Sequence, residues 1–155
     1  MRQGEIVVVT GAQMGIGASA AVAFGRRRAQ VVVNYLDDKS AAQSVAQAVT
    51  DAGGQALCIQ ADVSSTRDVE RLFATVSERF GRVDTLVNNA GIFPRKSFLE
   101  MTDEDWDLVL DVNLKGSLRC ARAAARMMVC TGKGGTIVNV ASSAVRGKKL
   151  GVHYA

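Results

Sequence analysis

The sequence predicts an α/β protein built on a doubly wound parallel sheet. Three observations carry that prediction. Five short runs rich in Val, Ile and Leu recur along the chain, longer stretches of helical periodicity separate them, and aromatic residues and Pro are scarce, unlike a sandwich of many short strands. The 155 residues include 15 Gly and one Pro, with 48% hydrophobic and 22% charged residues, which suits one folded domain with a buried core.

The first run, 6–9, reads Ile-Val-Val-Val, apolar on both faces as a strand inside a parallel sheet must be. It leads through a Gly-rich turn into an Ala-rich helical stretch. Further strands are expected at 31–33, 56–59, 85–87 and 136–140. Between the third and fourth, Val69, Leu72, Phe73, Val76 and Phe80 lie at helical spacing, with Ser65 and Asp68 as a capping box and Gly81 as the stop. Thr102 and Asp105 repeat that box ahead of Trp106, Val109 and Leu110, and one long helix is expected from Asp103 to about Met128, apolar on more than one face. The order βαβαβαβαβ closes into a doubly wound sheet by right-handed crossovers. No repeat or linker divides the chain, so residues 1–155 are expected to form one domain. No helix follows the fifth strand in this sequence, and the domain is therefore expected to be incomplete at its C-terminus.

The formal charge is +4, but the cations are scattered and the densest run, Arg26-Arg27-Arg28, is a solvated helix end rather than a nucleic-acid surface. Cys58, Cys120 and Cys130 form an odd set with no Cys-x-x-Cys spacing, which indicates neither a disulfide framework nor a metal site. The leading apolar run is too short for a signal peptide or a membrane span. A cytoplasmic protein is expected, with no nucleic-acid or membrane partner.

The chemistry begins after the first strand, at Thr10-Gly11-Ala12-Gln13-Met14-Gly15-Ile16-Gly17. Glycines let the backbone turn tightly and approach a pyrophosphate, whose charge is met by free N–H groups and the positive dipole end of the following helix. Four further marks follow in order. They are Asp62-Val63 past the third strand, Asn88-Asn89-Ala90-Gly91 past the fourth, Asn113 in Val112-Asn113-Leu114-Lys115-Gly116, and Asn139-Val140-Ala141-Ser142 with Tyr154 beyond it.

Together these marks make the chain resemble the short-chain dehydrogenase/reductase family, most of all its 3-oxoacyl-acyl-carrier-protein reductase members, and the resemblance runs from Ile6 to Ala155. It implies a Rossmann-type sheet, of which this chain supplies the first five strands, and an NAD(P)-dependent oxidoreductase. Gly11, Gln13, Met14, Gly15, Ile16 and Gly17 would hold the pyrophosphate end of the cofactor, Asn34 and Tyr35 the end of the second strand beside its ribose, and Asp62, Val63, Asn89, Ala90 and Gly91 the rest. Asn113, Ser142 and Tyr154 would be the catalytic residues, with tyrosine as proton donor, serine holding the substrate oxygen and asparagine serving the proton relay. The interval from Ser142 to Tyr154 is one residue shorter than the family's usual spacing; a deletion near Val145 accounts for it, and Ser143 is the alternative serine. The family's Tyr-x-x-x-Lys motif runs past Ala155, so its lysine is not in this sequence. A phenol of pKa about 10 depends on that ammonium to exchange protons near neutrality, and the 155-residue chain by itself is expected to be inactive.

A carboxylate about 20 residues beyond the glycine loop selects NAD in such folds. The second strand ends instead in Asn34-Tyr35, although Asp37 and Asp38 follow, and Met14 stands where NADP-preferring members often carry arginine. On balance NADP(H) is expected over NAD(H). The substrate would be a small carbonyl compound, alcohol or acyl thioester, and the protein a homodimer or homotetramer paired through the long helix. The missing lysine also permits a second interpretation, a catalytically silent nucleotide-binding or assembly subunit.

Overall fold

The computed structural model describes residues 4–142 and Arg146. Tyr154 and the alternative Ser143 lie outside the described residues. Five parallel strands, β1 (Ile6–Val9), β2 (Gln30–Tyr35), β3 (Gln55–Gln60), β4 (Thr85–Asn88) and β5 (Thr136–Asn139), form one sheet in the order β3-β2-β1-β4-β5. The helices between them are α1 (Gly15–Gly25), α2 (Lys39–Asp51), α3 (Thr66–Phe80), α4 (Asp103–Val109) and α5 (Ser117–Cys130), with a short 3₁₀ turn at Phe98–Glu100. Each strand sits where its apolar run predicts.

Alternation along the strands divides the core between two layers. Ile6, Val8, Val32 and Leu86 point to the α3 and α5 side, where Val69, Leu72, Phe73, Val76, Cys120, Ala124 and Met128 cover them. Val7, Val9, Val31, Val33 and Val87 point to the other side, under Ala21, Ala42 and Val49 of α1 and α2. Strands buried on both faces need apolar residues at every position, and β1 supplies them.

Two expectations change. The long helix from Asp103 is not uniform: Leu110–Gly116 winds as a wider π-helical stretch between α4 and α5. Gly116 lies so close to Val63 that an added Cβ would stand 2.8 Å from the valine Cγ2. The capping box at Ser65 is half formed. Ser65 accepts a hydrogen bond from the Asp68 N–H, but the Asp68 carboxylate turns to the Asp62 N–H at 3.0 Å and to Arg71 at 2.8 Å. Thr102 and Asp105 form the complete box. Among the described residues no helix is long and apolar enough to cross a membrane.

Candidate cofactor and active site

β1 continues to β2 and β3 on one side, while β4 and β5 lie on the other. The loops leaving β1 and β4 therefore diverge from the carboxyl edge of the sheet and open a crevice, the ligand position of open α/β sheets. Hydrogen bonds join its walls. Thr10 Oγ1 accepts from the N–H groups of Asn89 and Ala90, each at 3.0 Å, and Asn89 Nδ2 donates to the carbonyls of Thr10 at 2.9 Å and Gly11 at 3.0 Å. Gly11 has φ +59°, and a Cβ there would approach Ala90 Cα to 2.8 Å, so only glycine fits the crossing. A Cβ at Gly17 would run into the Asn89 amide.

α1 begins at this crevice without a side-chain cap. Asp38, Ser65 and Thr102 cap α2, α3 and α4, whereas Met14 provides none for α1. Its N–H donors at Gly15, Ile16 and Gly17 precede the bond from Ala18 N to the Met14 carbonyl at 3.2 Å, which leaves them directed at the crevice with the positive end of the helix dipole. Among the described residues, nothing beyond its chain neighbours and its own helix stands within 4 Å of the place a Gly15 Cβ would take.

Beside this edge lies a cavity of about 460 Å³, lined by Gly11, Gln13, Met14, Asn34, Asp62, Val63, Asn89, Ala90 and Gly91 of the expected set. Leu36, Asp37, Ala61, Ser64, Ile92, Leu108 and Val112 complete the lining. Tyr35 is buried in the core layer under α1 and α2. Asn34 ties three strand ends together, its Oδ1 accepting from Gly11 N–H at 3.1 Å and its Nδ2 donating to the Ala61 carbonyl at 3.0 Å. Asp62 Oδ1 accepts from both the N–H and the hydroxyl of Ser64, at 2.8 and 2.7 Å.

At the other end of the crevice the π-helical stretch presents Asn113. Its Oδ1 accepts from Ile92 N–H at 2.8 Å and its Nδ2 donates to the Ile92 carbonyl at 3.1 Å, which fastens the loop after β4 to the helix. Both side-chain groups face that backbone, and the Asn113 main-chain carbonyl accepts from the Ser117 hydroxyl at 2.9 Å. Ser142 follows β5 and is exposed. β5 leaves the same edge of the sheet as β4, with Asn88 paired to Asn139 and their side chains bonded at 2.9 Å.

A family model described as short chain dehydrogenase matches residues 5–155. The chain belongs to the short-chain dehydrogenase family. It is 41% identical over 140 residues to an uncharacterized oxidoreductase of Methylorubrum extorquens, covering 90% of this chain and 55% of that protein. Over 140 residues it is 39% identical to a 3-oxoacyl-[acyl-carrier-protein] reductase of Synechocystis, covering 90% of this chain and 56% of the relative. Its fold is similar to the crystal structure of a short-chain type dehydrogenase/reductase from Mycobacterium marinum, with TM-score 0.92 and 35% identity over 98% of this chain and 62% of the other. The chain thus spans little more than half the length of these curated relatives.

In this member of the family the structure gathers Gly11, Gln13 and Met14 of the glycine loop, Asp62-Val63 and Asn89–Gly91 at one cavity, with Asn113 bonded to Ile92 of its lining and Gly15, Ile16 and Gly17 outside that lining. Sequence reasoning passed over Thr10, although it is the one hydroxyl ending a run of valines at the crevice. Leu108 and Val112 were legible as apolar neighbours one helical turn apart. Ala61 and Ser64 flank residues already singled out.

Proposed function

We propose that the protein containing this chain is a nicotinamide-dependent oxidoreductase acting on a small carbonyl compound or secondary alcohol. The observation that carries the proposal is the uncapped start of α1, set over the β1–β4 crevice beside the 460 Å³ cavity. A dinucleotide fits these residues: the open space above Gly15 admits a pyrophosphate, and the N–H groups of Gly15, Ile16 and Gly17 offer it donors. Bound there, the cofactor would supply hydride transfer to or from a carbonyl carbon. Asp62 and Val63 would hold the adenine side, and Asn89 to Gly91 would line the path toward nicotinamide. Ser142, or Ser143, would hold the substrate oxygen while Tyr154 gives or takes the proton. Asn113 would serve the relay through its main-chain carbonyl, since its side chain is committed to Ile92.

The cavity favours NAD(H), against the preference for NADP(H) drawn from sequence. Asp37 and Asp62 line it and, among the described residues, no Lys or Arg does, so a 2′-phosphate there would meet carboxylates and none of the described cations. Similarity to a 3-oxoacyl-[acyl-carrier-protein] reductase supports a 3-oxoacyl thioester as substrate. Cys58, Cys120 and Cys130 are free thiols, which supports a reducing, cytoplasmic setting. Exposed Leu114, Leu118 and Val129 along the π-helical stretch and α5 support a homodimer or homotetramer.

Fluorescence titration with NADH and NADPH tests the cofactor site. The chain should bind at least one of them, and Gly15→Asp should weaken binding at least tenfold, because aspartate tolerates a left-handed backbone and places a negative charge on the pyrophosphate site. Binding of neither nucleotide, or unchanged binding after the substitution, would refute the proposal. A chain extended in its reading frame through the lysine expected at position 158 should reduce a simple 3-oxoacyl thioester, while the 155-residue chain should not.

A further inference from the structure

Two carboxylates follow β2, and the structure gives them different tasks. Asp38 caps α2, its Oδ1 accepting from Ala41 N–H at 2.8 Å. Asp37 instead lines the cavity, where Gln13 of the glycine loop reaches it: Gln13 Nε2 donates to Asp37 Oδ1 at 2.9 Å, and Gln13 Oε1 accepts from Leu36 N–H at 2.9 Å. The partners determine which way the carboxamide faces. A backbone N–H can only donate and an ionised carboxylate can only accept, so the oxygen must face Leu36 and the nitrogen Asp37.

This bridge joins the loop that would meet the pyrophosphate to the segment that would meet the adenosine ribose. Resting on the cofactor site proposed above, we infer that Gln13 is a positioning residue for cofactor choice, holding the Asp37 carboxylate where it accepts from the ribose hydroxyls and repels a 2′-phosphate. Gln13 occupies one acceptor position of that carboxylate, and an ionised carboxyl offers about four, so positions remain for the 2′- and 3′-hydroxyls. The same Gln13 hydrogen bond is the chief cause holding the Asp37 pKa below its ordinary value, which keeps the group charged. The Leu36 bond pins the carboxamide from the other side, so Asp37 is aimed by the glycine loop instead of swinging freely on the surface.

The inference concerns a ratio of affinities and can be tested by binding alone. Dissociation constants for NADH and NADPH would be measured by fluorescence with the full chain as wild type, Gln13→Met, Asp37→Ser and the double variant, each checked for an unchanged melting temperature. A hydrogen bond to a charged group corresponds to about a tenfold effect or more. Wild type should prefer NADH; Gln13→Met should lower that preference about tenfold; Asp37→Ser should abolish it. In the Asp37→Ser background, adding Gln13→Met should leave the ratio unchanged, because Gln13 acts through Asp37. A wild type that prefers NADPH, or a ratio that Gln13→Met leaves intact or alters equally in both backgrounds, overturns the inference while the dinucleotide site stands. A wild type that binds neither nucleotide overturns the site and the inference together.

Discussion

Arg28 ends the turn after α1 with φ 60° and donates its N–H to the Gly25 carbonyl at 2.8 Å. Left-handed backbone costs a residue with a Cβ about 1–2 kcal/mol, of which glycine recovers part while adding freedom to the unfolded chain. Arg28→Gly should therefore stabilise the fold by about 0.5–1 kcal/mol and raise the melting temperature by about 1–4 °C; an unchanged or lower value by calorimetry would contradict this. At this scale legibility follows locality. Gly11, Gly15 and Gly17 could be read from their spacing within one loop, although the groups that crowd Gly11 and Gly17, Ala90 and Asn89, lie in the distant loop after β4. Asp37 could be seen but not understood, since its aim depends on Gln13, far away in sequence. Asn34 was read as the end of a strand beside a ribose, and its knot of bonds to Gly11 and Ala61 involves two distant segments that no local pattern announces.

The start of α4 shows how an element is held. Asp105 accepts from Lys96 at 2.5 Å and from the Thr102 N–H at 2.8 Å, so one carboxylate both completes the capping box and ties down the loop after β4. The Lys96 hydrogen bond first, then that from Thr102, holds its pKa down to about 2. A carboxyl depressed in the folded state stabilises above its unfolded pKa of about 3.9 and loses that effect as pH falls through the folded value. Asp105→Asn should lower the melting temperature near neutrality, and its difference from wild type should close between about pH 4 and about pH 2. A difference that persists unchanged at pH 2 would assign the effect to packing. The caps at Ser65 and Thr102 were legible as spacing, but the side-chain half of the Ser65 box was not, because the Asp68 carboxylate accepts instead from the Asp62 N–H in the loop ahead of the cap. The π-helical stretch was hidden for another reason. Val109, Gly116, Cys120, Ala124 and Met128 are buried at positions that an uninterrupted helix would also bury, so apolar periodicity carries no mark of the wider turn.

Over the whole molecule, the doubly wound parallel sheet was legible from the succession of apolar runs and helical stretches, because right-handed crossovers leave few other arrangements, while the strand order came from the structure. What surrounds the sheet was less legible. Leu114, Leu118 and Val129 stand exposed along the π-helical stretch and α5, a distribution that in a lone protein would be a liability. The proposed pairing through this surface predicts a dimer or tetramer in sedimentation, shifted toward monomer by Leu118→Glu; a stable monomer at high concentration would refute it. The placement of β1 between β2 and β4 also has a consequence in time. About 75 residues separate β1 from β4, and a ribosome adding about 5–20 residues per second leaves β1 waiting about 4–15 s for its second neighbour. During synthesis the strand destined for the middle of the sheet is therefore an edge, with valines on both faces and one row of backbone groups unpaired. The emergence of β4, more than any event in the first half of the chain, ends the interval in which this protein is most exposed to misassembly.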